Sequence, residues 1–122
     1  MFSVSFKRSL LITLFLALTV FILSAPVDAA ASVTPSKQLY AAGEPIVVSF
    51  ADFPGYTSDW ITIVPVGAPN TAWGHWRYTH GGKSGSINFN GQSPGEYEAR
   101  GYFNYSGTGS YVIQARARFS VR

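Results

Sequence analysis

The residues best suited to binding a ligand lie together in one stretch of the chain. Residues 58–82, SDWITIVPVGAPNTAWGHWRYTHGG, contain all three tryptophans and both histidines. Within this stretch Trp73, His75 and Arg77 stand at alternate positions, so their side chains share one face of a β-strand. An exposed aromatic ring beside a cation can stack on a sugar or anchor a protein partner. The spacing therefore favours a binding face built from these three side chains.

The opposite face of the same predicted strand carries Trp76 and Tyr78. We expect both rings, together with Trp60, to belong to the hydrophobic core. An alternative is that Trp73 is covered by the loop at residues 66–70, in which case the strand offers no ligand face.

Two tyrosines in predicted loops, Tyr56 and Tyr105, can assist Trp73 in stacking on a carbohydrate. The candidate ligand-binding residues are therefore Trp73, His75, Arg77, Tyr56 and Tyr105.

Catalytic and metal-binding patterns are weak throughout the sequence. His75 and His80 are five residues apart, which places them on opposite faces of a strand, with only Asp52 and Asp59 as further possible ligands. The segment GGKSG resembles the end of a phosphate-binding loop but lacks the earlier glycine and a following helix. There is no Gly-x-Ser-x-Gly motif and no cysteine. We expect a protein that is not an enzyme, with no metal and no cofactor.

The first 31 residues have the order of a secretory signal peptide. Lys7 and Arg8 precede an apolar run at residues 10–23, and three alanines at residues 29–31 suit a signal peptidase. The alternative of an uncleaved membrane anchor is disfavoured, because a span needs roughly 18 to 20 apolar residues. We expect export to the periplasm or the medium and one domain at residues 32–122, with no membrane span after cleavage.

The composition of the exported part excludes two classes of protein. The chain has nine basic and six acidic residues, and removal of Lys7, Arg8 and Asp28 leaves seven and five, a net charge of +2. This charge is too small to favour nucleic-acid binding. Since there is no cysteine, no disulfide framework exists and stability must come from apolar burial.

The apolar residues of the exported part alternate with period two in short runs, which is typical of β-strands. IVVSF places Ile46, Val48 and Phe50 on one face, whereas WITIVP is apolar on both faces and its inward side stays open. A single first edge strand is expected before the turn at residues 42–45. About seven antiparallel strands predict an all-β, immunoglobulin-like β-sandwich.

The last two predicted strands, EYEARGYF and YVIQARARF, alternate most regularly, with Tyr111 expected inward. A hairpin loop at residues 104–110 would place Glu98 opposite Arg116 and Glu96 opposite Arg118. These pairs would neutralise much of the arginine-rich strand, so no strong binding to nucleic acid or heparin is expected.

Several segments together resemble a bacterial immunoglobulin-like module. They are SVTPSK, DWITIVPVGAP, WRYT and SPGEYEARGYF. The chain is similar to SKICH-type domains and to the fibronectin-like domain that precedes the catalytic part of purple acid phosphatases, although Thr62 and Val64 replace the usual Gly and Tyr and Gly101 stands where a larger residue is common. The resemblance implies a sandwich fold and an interaction role rather than a reaction.

Three functions follow from these patterns. The first is a small exported, non-catalytic immunoglobulin-like binding module that acts on a protein or a cell-envelope partner. The alternatives are a carbohydrate-binding protein that uses exposed aromatic residues and an inhibitor of a partner enzyme. Within the first two, the expected partner is a protein or a cell-envelope glycan.

The leader generates the first prediction. Because basic, apolar and small residues follow one another in signal-peptide order, the exported protein should begin near residues 30–32. N-terminal sequencing of the secreted or periplasmic protein measures this. A protein that still begins at Met1 and sediments with membranes would contradict the prediction.

Overall fold

The computed structural model describes residues 30–122, which form two β-sheets and one short helix. The elements are β1 (Ser32–Pro35), β2 (Leu39–Tyr40), β3 (Ile46–Ala51), β4 (Trp60–Pro65), β5 (His75–Tyr78), β6 (Gly85–Phe89), β7 (Gly95–Tyr102), α1 (Tyr105–Thr108) and β8 (Ala115–Val121). The predicted all-β class is confirmed. The predicted leader lies outside the described residues except for its last two positions. Within the described range, the structure contains no helix with the length and hydropathy of a membrane span.

The two sheets differ in size. One has three strands in the order β1-β3-β6, and the other has five in the order β2-β8-β7-β4-β5. All pairs are antiparallel except β2 and β8, which are parallel. The expectation of one first edge strand was wrong, because β1 joins the small sheet and β2 joins the large one. The chain changes sheet after Pro35, where Tyr40 becomes buried with its ring 5.5 Å from that of Phe119.

A single apolar core lies between the sheets and follows the predicted alternation. Ile46, Val48 and Phe50 of β3 are buried on one face, as predicted. The open question of β4 is also answered, since Ile61 and Ile63 face the core. The remaining buried core members are Val33, Tyr40, Phe53, Phe89, Ala99, Ala115, Phe119 and Val121.

Gly101 of β7 leaves room for an aromatic ring. A Cβ atom at this position would lie 2.7 Å from Cζ of Phe53, which is closer than side chains tolerate. Phe53 in turn packs against Phe50 and Phe103 with centroid distances of 5.1 and 5.0 Å. The space that a side chain at position 101 would occupy is thus filled by the Phe53 ring from the β3–β4 loop.

The register of the last hairpin differs from the prediction by two residues. Glu98 pairs with Arg118 and Glu96 with Ser120. The reason is that β8 begins only at Ala115, so residues 111–114 lie outside the sheet and the connection is longer than the predicted loop. A longer connection no longer fixes the pairing by its own geometry.

The expected charge compensation survives this change through one directly opposed contact, between Glu98 and Arg118, and two diagonal ones. Arg116 Nη1 lies 3.8 Å from Glu98 Oε1, and Arg118 Nε lies 3.9 Å from Glu98 Oε2. Arg122 lies 3.6 Å from Glu96. The arginine-rich strand is therefore still faced by carboxylates.

The core generates a stability prediction. Phe119→Ala removes a buried ring that touches Tyr40 and stacks on Tyr97 at 5.6 Å, so it should lower the free energy of unfolding by about 3–5 kcal/mol. Val112→Ala alters an exposed side chain and should change that free energy by at most about 0.5 kcal/mol. Guanidinium titration measures both. Equal losses for the two variants would contradict this description of the core.

Candidate functional site

The face of the five-stranded sheet that points away from the core is also covered. Trp60, Thr62 and Val64 of β4 lie on this outer face and are all buried. The loop at residues 66–74, between β4 and β5, folds back over them. Because of this cover, both faces of β4 are buried.

A buried ion pair holds the loop in this position. Arg100 Nε donates to Glu98 Oε1 at 2.8 Å, and both side chains are buried on the outer face of β7. The guanidinium also donates to the carbonyl of Pro69 at 2.8 Å and to that of Ala68 at 2.6 Å. Burial alone would lower the pKa of Arg100, but the hydrogen bonds to Glu98 and Tyr102 outweigh it and the pKa is raised. The Arg100 guanidinium that anchors the loop therefore stays cationic.

Two hydroxyl groups fix the rest of the loop. The Tyr102 hydroxyl donates to the carbonyl of Asn70 at 2.8 Å, and the Thr62 hydroxyl lies 2.5 Å from the carbonyl of Trp73 and 2.9 Å from that of His75. Burial raises the pKa of Tyr102, against the opposing effect of Arg100, so the phenol keeps the proton that it donates. Thr62, a departure from the resembled motif, is thus used to bind the loop.

Gly74 sets the direction in which Trp73 points. It adopts a φ of +40°, and a Cβ atom there would lie 2.7 Å from the carbonyl oxygen of Ile63. Because this left-handed residue precedes β5, the strand alternation does not extend back to Trp73. Trp73 consequently faces the same cavity as Trp76 and Tyr78.

A second polar cluster positions α1. The buried Asp59 carboxylate accepts backbone N–H bonds from Tyr56 at 3.0 Å and from Asn104 at 2.9 Å. Ser58 accepts from the backbone N–H of Tyr105 through its carbonyl, at 3.3 Å, and from that of Ser106 through its hydroxyl, at 3.1 Å. These contacts place the Tyr105 ring beside the outer face of the sheet.

The loop, the sheet and α1 together border an open aromatic cavity of about 310 Å³. Trp60 stacks on Tyr102 with a centroid distance of 4.1 Å and an interplanar angle of 9°. The rings of Trp76, Tyr105 and Tyr111 are inclined to Trp60 by 77°, 86° and 88°. In the described part of the chain, the residues that line the cavity are all aromatic, namely Trp60, Trp73, Trp76, Tyr78, Tyr105 and Tyr111.

The cavity keeps features that cost stability. Trp73, Trp76 and Tyr78 expose 58%, 36% and 40% of their surface. Trp60 Nε1 is buried and has no hydrogen-bond partner among the described residues, a condition that costs about 1–3 kcal/mol. The side-chain hydrogen bond with Tyr105 and, after it, desolvation raise the pKa of Tyr111. The Tyr111 phenol therefore keeps its proton, and five of the six rings, all but Trp60, are at least partly exposed.

The structure divides the predicted ligand-binding residues into three groups. Trp73 and Tyr105 line the cavity. His75 and Arg77 are exposed on the other side of β5, since they pair with Ile63 and Ile61 of the core face. Tyr56 is exposed in the β3–β4 loop and is not among the residues that line the cavity. The predicted grouping of Trp73 with His75 and Arg77 on one face was wrong, because the positive φ of Gly74 interrupts the strand alternation between Trp73 and His75.

The assignment of Trp76 and Tyr78 to the core was also wrong. Both lie on the outer face, because Trp76 pairs with Thr62 and Tyr78 pairs with Trp60. Trp60 is buried as expected, but in the outer aromatic cluster.

Four cavity residues were therefore missed by sequence reasoning: Trp60, Trp76, Tyr78 and Tyr111. Gly74 was a signal only for Trp73, because strand parity cannot be carried across a residue free to adopt positive φ. Trp60, Trp76 and Tyr78 had no local signal, since alternation shows that two residues share a face but not which face meets the core. Tyr111 continues the regular alternation of residues 115–121, so the sequence predicts that it belongs to the strand. It leaves the sheet to pack 5.1 Å from Tyr105.

Metal binding receives no support from the side-chain geometry. Among residues 30–122, no group of three or more histidine, aspartate or glutamate side chains is arranged to hold an ion. Asp59, one of the ligands considered, is occupied by backbone N–H groups.

The ion pair generates a prediction for the loop. Arg100→Met leaves the Glu98 carboxylate buried without its principal partner, so the free energy of unfolding should fall by about 3–5 kcal/mol. The double variant Glu98→Gln, Arg100→Met should recover much of that loss, because no uncompensated charge remains. Both variants should be cleaved faster by protease within residues 66–74, since two loop anchors are gone. Chemical denaturation and mass spectrometry of the fragments measure these effects.

Arg116→Met is the matched control, because Arg116 is exposed. It should change the free energy of unfolding by at most about 1 kcal/mol. A loss for Arg100→Met as small as that of the control would contradict the role of the pair.

No family model, curated protein or solved structure matches the chain. The resemblance to SKICH-type domains and to the phosphatase-associated domain therefore rests on the quoted segments alone.

Proposed function

We propose that the chain is a small exported, non-catalytic binding module, and that the aromatic cavity is its binding site. The observation that carries this proposal is the partial exposure of Trp73, Trp76 and Tyr78 around one concavity. Large aromatic side chains that stay exposed together are typical of interaction sites, because folding alone favours their burial.

The anchoring of the cavity also supports a binding role. Trp73 is carried by a loop held through the Arg100 guanidinium and the Thr62 hydroxyl, and Tyr105 by a turn held through Ser58 and Asp59. Walls that are fixed before the ligand arrives need little further ordering, so less of the binding free energy is lost. The lining groups stack and donate hydrogen bonds but contain no paired acid and base for proton transfer.

The finer fold class and the compartment belong to the same proposal. Two facing sheets with one core, together with the quoted motifs, support an immunoglobulin-like sandwich. The first strand begins at Ser32, directly after the proposed cleavage region, which supports an exported domain at residues 32–122. The partner is a protein or a component of the cell envelope.

Carbohydrate binding is the second candidate, favoured by one observation. Trp73 exposes 58% of its surface, enough of its ring for a sugar to stack on it. A glycan array separates this candidate, because only carbohydrate recognition gives a ring-dependent signal with defined oligosaccharides.

The proposed function predicts the effect of removing one wall. Trp73→Ala should weaken retention of the protein on immobilised envelope extract at least tenfold, because an exposed anchor ring is lost. Its free energy of unfolding should change by at most about 1 kcal/mol, since the loop is held through backbone groups. Pull-down and guanidinium titration measure the two quantities.

Leu39→Ala is the matched control. Leu39 is a similarly exposed apolar residue, at 55%, on β2 at the opposite edge of the same sheet. Its retention should equal that of the unmodified protein. If Trp73→Ala were retained as strongly as Leu39→Ala, the cavity would not be the binding site.

A further inference from the structure

We propose that the aromatic cavity receives a quaternary ammonium group, of the kind that choline and its esters carry. This inference rests on the proposed function, which makes the cavity the binding site. It adds the chemical class of the ligand.

The orientation of the rings is the first argument. Three rings stand at 77° to 88° to Trp60, and Trp76 is inclined to Tyr78 by 75° at a centroid distance of 4.9 Å. A flat sugar ring stacks on one plane and cannot lie parallel to several perpendicular planes at once. A nearly spherical group contacts several of them together. The trimethylammonium group has this shape.

The electrostatics of the lining is the second argument. An aromatic ring has a negative face, and several rings around one space attract a cation. An ordinary ammonium group also requires hydrogen-bond acceptors for its N–H groups, whereas a quaternary ammonium group has no N–H to satisfy. The lining, as far as the structure describes it, offers rings and no carboxylate. It therefore suits the quaternary cation better than a lysine side chain or a polyhydroxylated sugar.

The charges beyond the lining are consistent with this choice. Glu98 is neutralised by Arg100 beneath the loop, so it provides no competing acid site. Arg77 donates to the carbonyl of Trp76 at 2.9 Å and, with His75 and His80, borders a shallow depression on the other side of β5. These groups are not among the residues that line the aromatic cavity.

Intrinsic fluorescence gives a direct test. All three tryptophans of the chain line the cavity, so any change in tryptophan emission reports on it. The full exported domain is titrated with choline chloride and, separately, with the neutral alcohol in which a tert-butyl group replaces the trimethylammonium group. Sodium chloride at equal ionic strength is the blank. The choline titration should saturate, and the neutral alcohol should bind at least about tenfold more weakly, because it lacks the cation–π attraction.

A variant locates the effect without changing a tryptophan. Tyr78→Leu keeps an apolar side chain but removes a ring, so choline affinity should fall about tenfold while affinity for the neutral alcohol changes less. Leu39→Ala, at the far edge of the sheet, should bind choline like the unmodified protein. Circular dichroism checks that each variant is folded. If Tyr78→Leu is not folded, Trp73→Leu replaces it.

Two results would overturn the inference. One is the absence of a saturable response to choline, and the other is a neutral alcohol that binds as tightly as choline. Either result together with ring-dependent retention on envelope extract would leave the proposed function standing. If the protein neither bound choline nor showed ring-dependent retention, the proposed function would be overturned as well.

Further titrations distinguish the source of the cation once choline binds. Phosphocholine that binds more tightly than choline would assign the soluble or polymer-borne ester. Vesicles of phosphatidylcholine that shift the emission, when vesicles of phosphatidylglycerol do not, would assign a lipid headgroup.

Discussion

The ion pair between Glu98 and Arg100 determines how the outer face of the large sheet is used. Both side chains are buried where a sheet of this size would ordinarily meet water. Such a pair gains little net stability, because desolvation of two charges offsets their attraction. It does give a fixed position to whatever accepts the remaining guanidinium hydrogens, and here these acceptors are the carbonyls of Ala68 and Pro69. The covered outer face, the position of Trp73 and the cavity all depend on that arrangement.

Asp59 is a second buried polar side chain that fixes an irregular segment by hydrogen bonds to its backbone. Asp59 is buried without a basic partner in the described structure and is satisfied by backbone N–H groups of Gly55 and Tyr56 in the β3–β4 loop and of Asn104. Backbone donors can stabilise a buried carboxylate without a counter-ion. Arg100 and Asp59 therefore hold, through hydrogen bonds to the backbone, the two irregular segments that carry cavity walls, the loop at residues 66–74 and the turn at residues 104–108. The core between the sheets, as far as the structure describes it, is instead built from packed apolar and aromatic side chains.

This division explains how much could be predicted from the sequence. The inner face of β3 was predictable, since Ile46, Val48 and Phe50 recur at every second position of a short apolar run and all three are buried. An alternation of apolar and polar residues shows which side chains share a face, but not whether the polar face meets water or a covering loop. Glu98 and Arg100 therefore had the sequence pattern of exposed residues. Side-chain to backbone bonds across about 30 residues of sequence have no local signature. The β7–β8 register failed for a related reason, because the aromatic cluster outside the sheet withdraws Tyr111 from its strand.

The edge position of β5 limits how a ligand can be held. An edge strand normally offers unpaired N–H and C=O groups to another chain. Here the strand has only four residues, and Arg77 donates its own guanidinium to the carbonyl of Trp76. Short length and a charged side chain over the backbone both discourage strand addition. The same strand contributes Trp76 and Tyr78 to the cavity through its side chains. Recognition at this edge is therefore expected to use ring faces rather than backbone hydrogen bonds, and ring faces select ligands by shape and charge.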